Sequence, residues 1–491
     1  MALRERPVAP GLKTGGRQEA ERLLELARSL EMEGPGYAAW RKRMQQLQAA
    51  PELETLAGEA ELDHMALRLR ALWLGCAHQF SDILLKSPLH SDPKCLPSGE
   101  PIDFTYERNV RPHLLEEKTR AYRPAPPGWQ AEHVHFRSGM GAIATFLLAL
   151  NTMWKPGPDK PLSLGMWGGY YETHFLLGGV AHAHFNWRRH HSQDTMHTAL
   201  LEGEHDALLL ETVAYDWELE VFDLEAFLES WSQRSSQRVK VLVLDTTLTG
   251  LAFPMEDLLA GLADDPPLMV VQITSGLKLD QQGLELANVG LLSYYSPGGE
   301  ASQAAALTRK LRTVAGTALS FAELCELDVP FFATRQSLAE HSEAVFANNA
   351  WLAAQLERGR GGLFWKVAHP SLGPAAELAW AKAPFVVLHL QEDRLENHGL
   401  LLSVISQEVR RRELPFAMGS SFGFRGHRFE TIIPSIRDRQ GLFKVALGSR
   451  SGPALEGIAE LLLELADRPD FASLRARYPD LRAVDMDTLE L

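Results

Sequence analysis

Four short stretches of this sequence place reactive side chains beside backbone that can hold a ligand. In "VVQITSGLKLD", residues 270–280, a β-branched run ends in Ser275-Gly276-Leu277 and then a lysine, Lys278. A lysine next to a dry cleft holds its proton less tightly, so a neutral amine becomes available to attack a carbonyl. A solvated charge at a strand end explains the same residue more plainly. In "VKVLVLDTTLTG", Asp245 ends an apolar run and Thr247 follows closely. The carboxyl ends of parallel strands are where open sheets bind ligands. An aspartate there can cap a helix, hold a metal or pair with a cationic heterocycle. In "FRSGMGAIATFLLAL", Ser138-Gly139-Met140-Gly141 lead straight into a helical pattern. Small residues at a helix N-terminus expose N–H groups that favour an anion, and an ordinary N-cap accounts for them equally well. In "MWGGYYETHFLLGG", Trp167 precedes Gly168-Gly169. Its aromatic face can stack on a planar ligand or fill a core.

Together the four have one economical reading. An anion seat, an aromatic face, a carboxylate at a strand end and a lysine one strand later are what pyridoxal 5'-phosphate requires. The lysine would form the Schiff base, and the aspartate would keep the pyridine nitrogen protonated so that the ring accepts electrons.

Residues so far apart need a scaffold. From about residue 133, short apolar runs ("ALLLET", "VKVLVLD", "LMVVQIT", "VGLLSYY") alternate with helical stretches such as "AIATFLLALNTMW" and "DLEAFLESWSQ". That alternation predicts an α/β domain with a mostly parallel sheet covered on both faces. Residues 17 to about 90 repeat apolar positions at helical spacing, with Gly34-Pro35-Gly36 ending the first helix. Residues 91–130, rich in proline and polar side chains, predict an irregular crossing segment. From about 315, "SLAEHSEAVFANNAWLAAQLE" is an amphipathic helix. Two strands, "FVVLHLQ" and "LFKVALG", and a closing helix, "ALEGIAELLLELAD", follow. The expected organisation is a helical N-terminal extension over 1–100, a large α/β domain over 101–315 and a smaller α+β domain over 316–491.

Composition narrows the function classes. The 491-residue chain has a formal net charge of −14, which argues against a nucleic-acid partner. It contains no run of about 18 apolar residues, so no membrane span is expected. The N-terminal stretch lacks the apolar core of a secretory signal. Cys76, Cys95 and Cys325 are widely separated, which predicts a reduced, cytoplasmic protein without disulfides. His182, His184, His190 and His191 lie close together, but no carboxylate or cysteine completes a metal site. A polar surface or substrate-side segment is expected there, and no metal.

In their order, these motifs resemble the Cys/Met-metabolism family of pyridoxal-phosphate enzymes, the cystathionine γ-synthase and γ-lyase group. The resemblance runs from about residue 103 to 467. "TYERNVRPHLLEEKTRAY" is similar to the family's Y-x-R-x-x-N-P-T-x-x-x-L-E segment. It puts Tyr106 and Arg108 on the pair that reaches across a dimer interface to the neighbouring subunit's phosphate. "SGMGAI" resembles the phosphate loop S-G-M-A-A-I, "MWGGYYE" resembles Y-G-G-T, and "LLLETVAYDWELEVFDL" resembles the E-T-P-A-N-P segment. "VLVLDTTLTG" resembles V-D-N-T and "TSGLK" resembles S-A-T-K. "SLAEHSEAVFANNAWLAAQLE" with "VAHPSL" resembles the opening of the family's C-terminal domain, and "GLFKVALG" its closing G-L-I-R-L-S-V-G. The fold so implied is fold type I, aspartate-aminotransferase-like. Lys278 would be the Schiff-base lysine. Ser138, Gly139, Met140, Thr247 and Ser275 would lie at the phosphate end, Asp245 at the ring nitrogen and Tyr215 near the ring oxygen.

The resemblance implies a lyase or transferase acting at the γ-carbon of an L-amino acid, by γ-elimination or γ-replacement through a vinylglycine-type intermediate. It also implies a homodimer or homotetramer with shared active sites. The departures sharpen the expectation. Trp167 replaces the family's stacking tyrosine and has no phenol, which favours a leaving group that needs no proton, such as halide, and an unsaturated product; Tyr170 or Tyr171 can restore the phenol. Leu277 removes one phosphate-binding hydroxyl. Lys444 stands where an arginine would hold the substrate carboxylate and is a poorer bidentate partner; Arg425, Arg428 and Arg450 are near enough in sequence to substitute. The competing readings are β-elimination, desulfurisation or transamination on the same fold, and a non-catalytic scaffold. The retained lysine, aspartate and anion seat argue against the last.

Overall fold

The computed structural model describes residues 15–155, 160–180, 185–434 and 440–486. Seven strands form the larger sheet: β1 (Gln130–Phe136), β2 (Leu162–Trp167), β3 (Phe185–His190), β4 (Ala207–Glu211), β5 (Val241–Asp245), β6 (Met269–Ser275) and β7 (Gly290–Ser296). Their order is β1-β7-β6-β5-β4-β2-β3. Strands β2 to β6 run parallel, and β7 lies antiparallel between β6 and β1. The central strands read as continuous apolar runs because both faces are buried. Val241 and Val243 pack into one core with Ile143 and Phe146, while Leu242 and Leu244 pack into the opposite core with Phe222 and Trp231.

A second sheet has the order β10-β11-β12-β9-β8, formed by β8 (Phe364–Ala368), β9 (Val386–Leu390), β10 (Phe416–Met418), β11 (His427–Ile432) and β12 (Leu442–Ala446). Only β9 and β12 are apolar enough to stand out in the sequence. Strand β11 alternates buried and partly buried residues, and β10 has three residues, so neither forms an apolar run. The segment expected to be irregular also contains a helix. In chain order the first helices are α1 (Gly15–Ser29), α2 (Pro35–Gln48), α3 (Leu56–Ser81) and α4 (His113–Tyr122). Helix α4 buries Leu115, Thr119 and Tyr122 on one face, a helical spacing that the flanking prolines obscure. Among the described residues, no helix is long and apolar enough to cross a membrane.

The N-terminal helices are part of a shared core. Leu23, Trp40, Leu69 and Trp73 pack in one cluster with Leu324, Phe331 and Phe332. Their carboxylates then reach across to the C-terminal region. Glu19 of α1 pairs with Arg425 at 2.6 Å. Glu59 of α3 pairs with Arg450 at 2.8 Å, lies 3.6 Å from His427 and accepts the Ala454 N–H at 2.8 Å. Asp63 holds the same Arg450. Arg22 also donates to the Gln282 side chain at 2.6 Å.

Burial would raise the Glu59 carboxyl, but His427 and Arg450 outweigh it and hold it at about 2, against an ordinary 4.5. A depressed carboxyl stabilises the fold fully above the ordinary range, and that contribution is lost as pH falls toward the folded value. Glu59→Gln is therefore expected to cost roughly 3–5 kcal/mol at neutral pH, because a buried guanidinium loses a charged partner. Urea unfolding of variant and wild type should converge between pH 4.5 and 2. A gap unaffected by acid would exclude Glu59 as the titrating group.

Candidate active site

A cavity of about 1890 Å³ opens at the carboxyl ends of β4, β5 and β6. One side is the start of α5 (Gly139–Trp154), and another is the chain from Met418 to Phe422 with the end of β11. Strand register explains why the chemistry gathers here. Glu211 pairs with Asp245, and Asp245 with Ile273, across three parallel strands. Because side chains alternate along a strand, Glu211, Asp245 and Ser275 all project to the face that α5 covers.

The anion seat is built from backbone and hydroxyls. Ser138 caps α5, accepting the Gly141 N–H at 2.9 Å. The N–H groups of Gly139 and Met140, in the first turn, have no partner within the helix, and both residues line the cavity. Gly290 lets the cap approach β7, because a Cβ there would lie 2.1 Å from the Ser138 carbonyl oxygen. Asp245 accepts the Thr247 N–H at 2.8 Å, and the Thr247 hydroxyl oxygen accepts the Ser275 N–H at 3.1 Å. Burial raises the Asp245 carboxyl, which the Thr247 contacts oppose.

Lys278 lies against the Met418–Phe422 chain. Its Nζ donates to the Ser421 hydroxyl and stands 5.3 Å from the Phe422 ring. Burial, aided by the charge of Lys444, lowers the Lys278 amine to about 8. Ser421 has a φ of 77°, in the left-handed region, and its N–H donates to Glu430 Oε1 at 2.9 Å. Neither Ser421 nor Glu430 was singled out in the sequence. The pair of serines before Phe422-Gly423 was the available signal, and it is common loop composition.

Glu211 was likewise missed, although it is a lone carboxylate ending an entirely buried strand. It accepts the N–H groups of Gly169 at 3.0 Å, Tyr170 at 2.9 Å and Tyr215 at 2.7 Å. It thereby fixes the two turns that carry the cavity tyrosines. Gly168, at a φ of 148°, allows this, since a Cβ there would meet the Glu211 carboxyl carbon at 2.4 Å. Burial and, less strongly, the Asp245 charge raise Glu211 to about 7 against the three backbone donors.

The remaining expected residues divide. Tyr170 and Tyr215 line the cavity, their rings 5.3 Å apart and edge to face. Trp167 does not: it is 2% exposed and packs 6.0 Å from Phe222 in the opposite core. Alternation along β2 accounts for this, because Met166 takes the α5 face and Trp167 the other. The basic residues expected at a substrate carboxylate are all otherwise engaged. Lys444 is ion-paired with Glu430 and donates to the Tyr215 hydroxyl at 3.0 Å. Arg425 is taken by Glu19, Arg428 by Glu285 and Arg450 by Glu59 and Asp63, and none of these four basic residues lines the cavity. Tyr106 and Arg108 lie outside the cavity of their own chain; Tyr106 is 47% exposed, with the Arg108 guanidinium 5.2 Å from its ring. Of the clustered histidines, His190 is buried and meets His205 at 2.9 Å, while His182 and His184 lie outside the described residues.

Comparison with solved structures gives the fold a context. An apo methionine γ-lyase, CalE6, from Micromonospora echinospora is 19% identical, with a TM-score of 0.53 over 77% of this chain and 92% of that one. Cystathionine γ-synthase from Xanthomonas oryzae pv. oryzae, solved with aminoacrylate and cysteine, is 18% identical, with a TM-score of 0.55 over 81% of this chain and 98% of that one. MetB from Corynebacterium glutamicum is 16% identical, with a TM-score of 0.53 over 80% and 97%. No protein-family model and no curated protein matches the sequence. The chain has the α/β architecture of pyridoxal-phosphate fold type I, with a large mostly parallel sheet and a smaller second sheet.

The lysine environment is directly testable. Reductive methylation of Lys278 by formaldehyde and borohydride, scored by mass spectrometry across pH, is expected to show a midpoint near 8. Lys444→Met removes the like charge and leaves Glu430 free to attract the ammonium, so the midpoint should rise by about one unit. A fall would exclude Lys444 as a cause.

Proposed function

We propose that the protein is a pyridoxal-phosphate-dependent lyase or transferase acting at the γ-carbon of an amino-acid-type substrate. The observation that carries this reading is Lys278, a buried amine of lowered proton affinity. It shares a cavity with the first turn of α5 and with Asp245 on the adjacent strand. The three structural neighbours are γ-lyase and γ-synthase enzymes by name or share their fold, which supports the choice of chemistry.

The donor set fits the cofactor. A phosphate finds the first-turn N–H groups of α5 and the hydroxyls of Ser138, Ser275 and Thr247. A pyridinium N–H would find the Asp245 carboxylate, and an aldehyde would find a lysine that is about half neutral near pH 8. When bound, the cofactor supplies an electron sink for the charge left when a Cα proton is removed. The protein's part is to place and move protons. Lys278 would take the Cα proton of a bound substrate, and the Ser421 hydroxyl steadies its Nζ. Asp245 would hold the proton on a pyridinium nitrogen. Tyr215 and Tyr170 form the aromatic wall, held by Glu211 through their backbones. Burial keeps the Tyr170 phenol protonated, so it can give a proton to a departing γ-substituent. With that phenol in the cavity, the absence of one at Trp167 no longer favours halide over thioether. Tyr106 and Arg108, exposed on their own chain, would complete the phosphate site of a second copy in a homodimer or homotetramer.

Purified protein given pyridoxal phosphate should develop a visible absorption band that Lys278→Ala abolishes. Tyr170→Phe should lower turnover of a γ-thioether substrate by about 10²-fold or more. It should slow a γ-chloro substrate far less, because chloride departs without a proton. Equal losses on both substrates would remove Tyr170 as the acid.

A further inference from the structure

The chain turns sharply shortly after Lys278. Gln282, Gly283 and Glu285 have φ values of 53°, 67° and 49°, and a non-glycine residue holds that left-handed region only where its surroundings fix it. The N-terminal helices supply the fixing groups. Arg70 of α3 donates twice to the Glu285 carbonyl oxygen, from Nε at 3.0 Å and from Nη2 at 2.8 Å. Arg22 of α1 donates to the Gln282 side chain at 2.6 Å. Leu284, Leu286, Ala287 and Val289 pack in the same core as Leu69 and Trp73 of α3.

Two routes lead from this turn back to the lysine. Along the chain, the buried Gln281 side chain donates to the carbonyl oxygens of Gly276 at 3.1 Å and Ala287 at 2.6 Å. It also accepts the N–H groups of Leu286 at 2.7 Å and Ala287 at 3.1 Å. One side chain thus closes the loop that contains Lys278 onto the far side of the turn. Through space, the Glu285 carboxylate is ion-paired with Arg428, and the same guanidinium donates to the Ser420 carbonyl oxygen at 3.0 Å. Ser420 precedes Ser421, whose hydroxyl meets the Lys278 Nζ. Arg70 grips the main chain of Glu285 while Arg428 holds its side chain. A single residue therefore joins α3 to the loop beside the amine.

Taking Lys278 as the reactive amine, we propose that Arg70 is a positioning residue for it: by fixing Glu285, Arg70 sets the turn after the lysine and, through Arg428, the loop that carries Ser421. The N-terminal helices then shape the active site as well as the core. The readout is the pH midpoint of Lys278 reductive methylation, scored by mass spectrometry on protein first cleared of any bound aldehyde with hydroxylamine. Burial and Lys444 hold that midpoint down, while Glu430, Glu172 and Glu285 hold it up. Glu285→Gln removes a negative charge and frees Arg428, so the midpoint should fall by about half a unit or more. Arg70→Met should lower it in the same direction, and Arg70→Lys should restore part of the loss. The double variant should fall little beyond Glu285→Gln alone, because both changes act through one residue. Arg70→Met that lowers thermal stability and leaves the midpoint unmoved overturns the proposal, as does a double variant whose shifts add. An unmoved midpoint in Glu285→Gln overturns it even where Arg70→Met does not fold. The amine is measured without cofactor, so a protein that takes up no pyridoxal phosphate counts against the proposed function alone.

Discussion

Everything at this site depends on three parallel strands ending level with one another. Parallel register sets Glu211 against Asp245 and Asp245 against Ile273, and alternation then decides which side chains face α5. One face receives Glu211, Asp245 and Ser275, and the other receives Leu208, Leu210, Leu242, Leu244 and Val270. A slip of one residue in any of these strands would exchange the two sets. Burial on both sides forbids the slip, since it would force a carboxylate into the core that holds Phe222 and Trp231. The apolar monotony of these strands thus fixes their polar ends.

Strands β4 to β7 of the larger sheet were legible in the sequence for that reason. Buried parallel strands announce themselves as apolar runs, and Ser138 before "GMGAI" announces a capped helix. The helix Arg335–Arg358 and strands β9 and β12 were legible on the same grounds. Strands β10 and β11 were not, because short or half-exposed strands leave no period to detect. The placing of Trp167 could have been read from parity, since Met166 and Trp167 cannot both face α5; the motif resemblance pointed the other way. Glu211 was visible as a residue but not as a function. Its work is done through three backbone N–H groups, and nothing in a linear sequence shows which turns will come within its reach.

The fate of the arginines shows a different limit. Arg425, Arg428 and Arg450 were candidates for an anionic substrate because they lie near Lys444 in sequence. Charge in a folded protein is defined by its partners, and the partners lie hundreds of residues away. Glu19 and Glu59 come from the N-terminal helices, and their pairs with Arg425 and Arg450 are almost wholly buried. Removing either member would leave an isolated charge, a far larger cost than the pair itself contributes. The extension is therefore tied to the rest of the chain through those charges as well as through its apolar face.

The same ties reach the reactive lysine. Arg425, held by Glu19, donates to the Gln282 carbonyl oxygen at 3.0 Å. Two residues earlier, Gly423 passes so close beneath the lysine that a Cβ would lie 2.5 Å from the Lys278 carbonyl oxygen, and its own carbonyl oxygen meets His341 at 2.8 Å. Ser421 is thus fixed two residues before a backbone that cannot retreat, in a left-handed conformation that a non-glycine residue adopts only when its surroundings hold it there. Its hydroxyl meets Lys278 and its N–H meets Glu430 because the turn is pinned on both sides. The hydroxyl at the lysine and the Glu430 carboxylate in the cavity are positioned by one loop. That loop is anchored by an arginine whose counter-charge comes from the first helix of the structure.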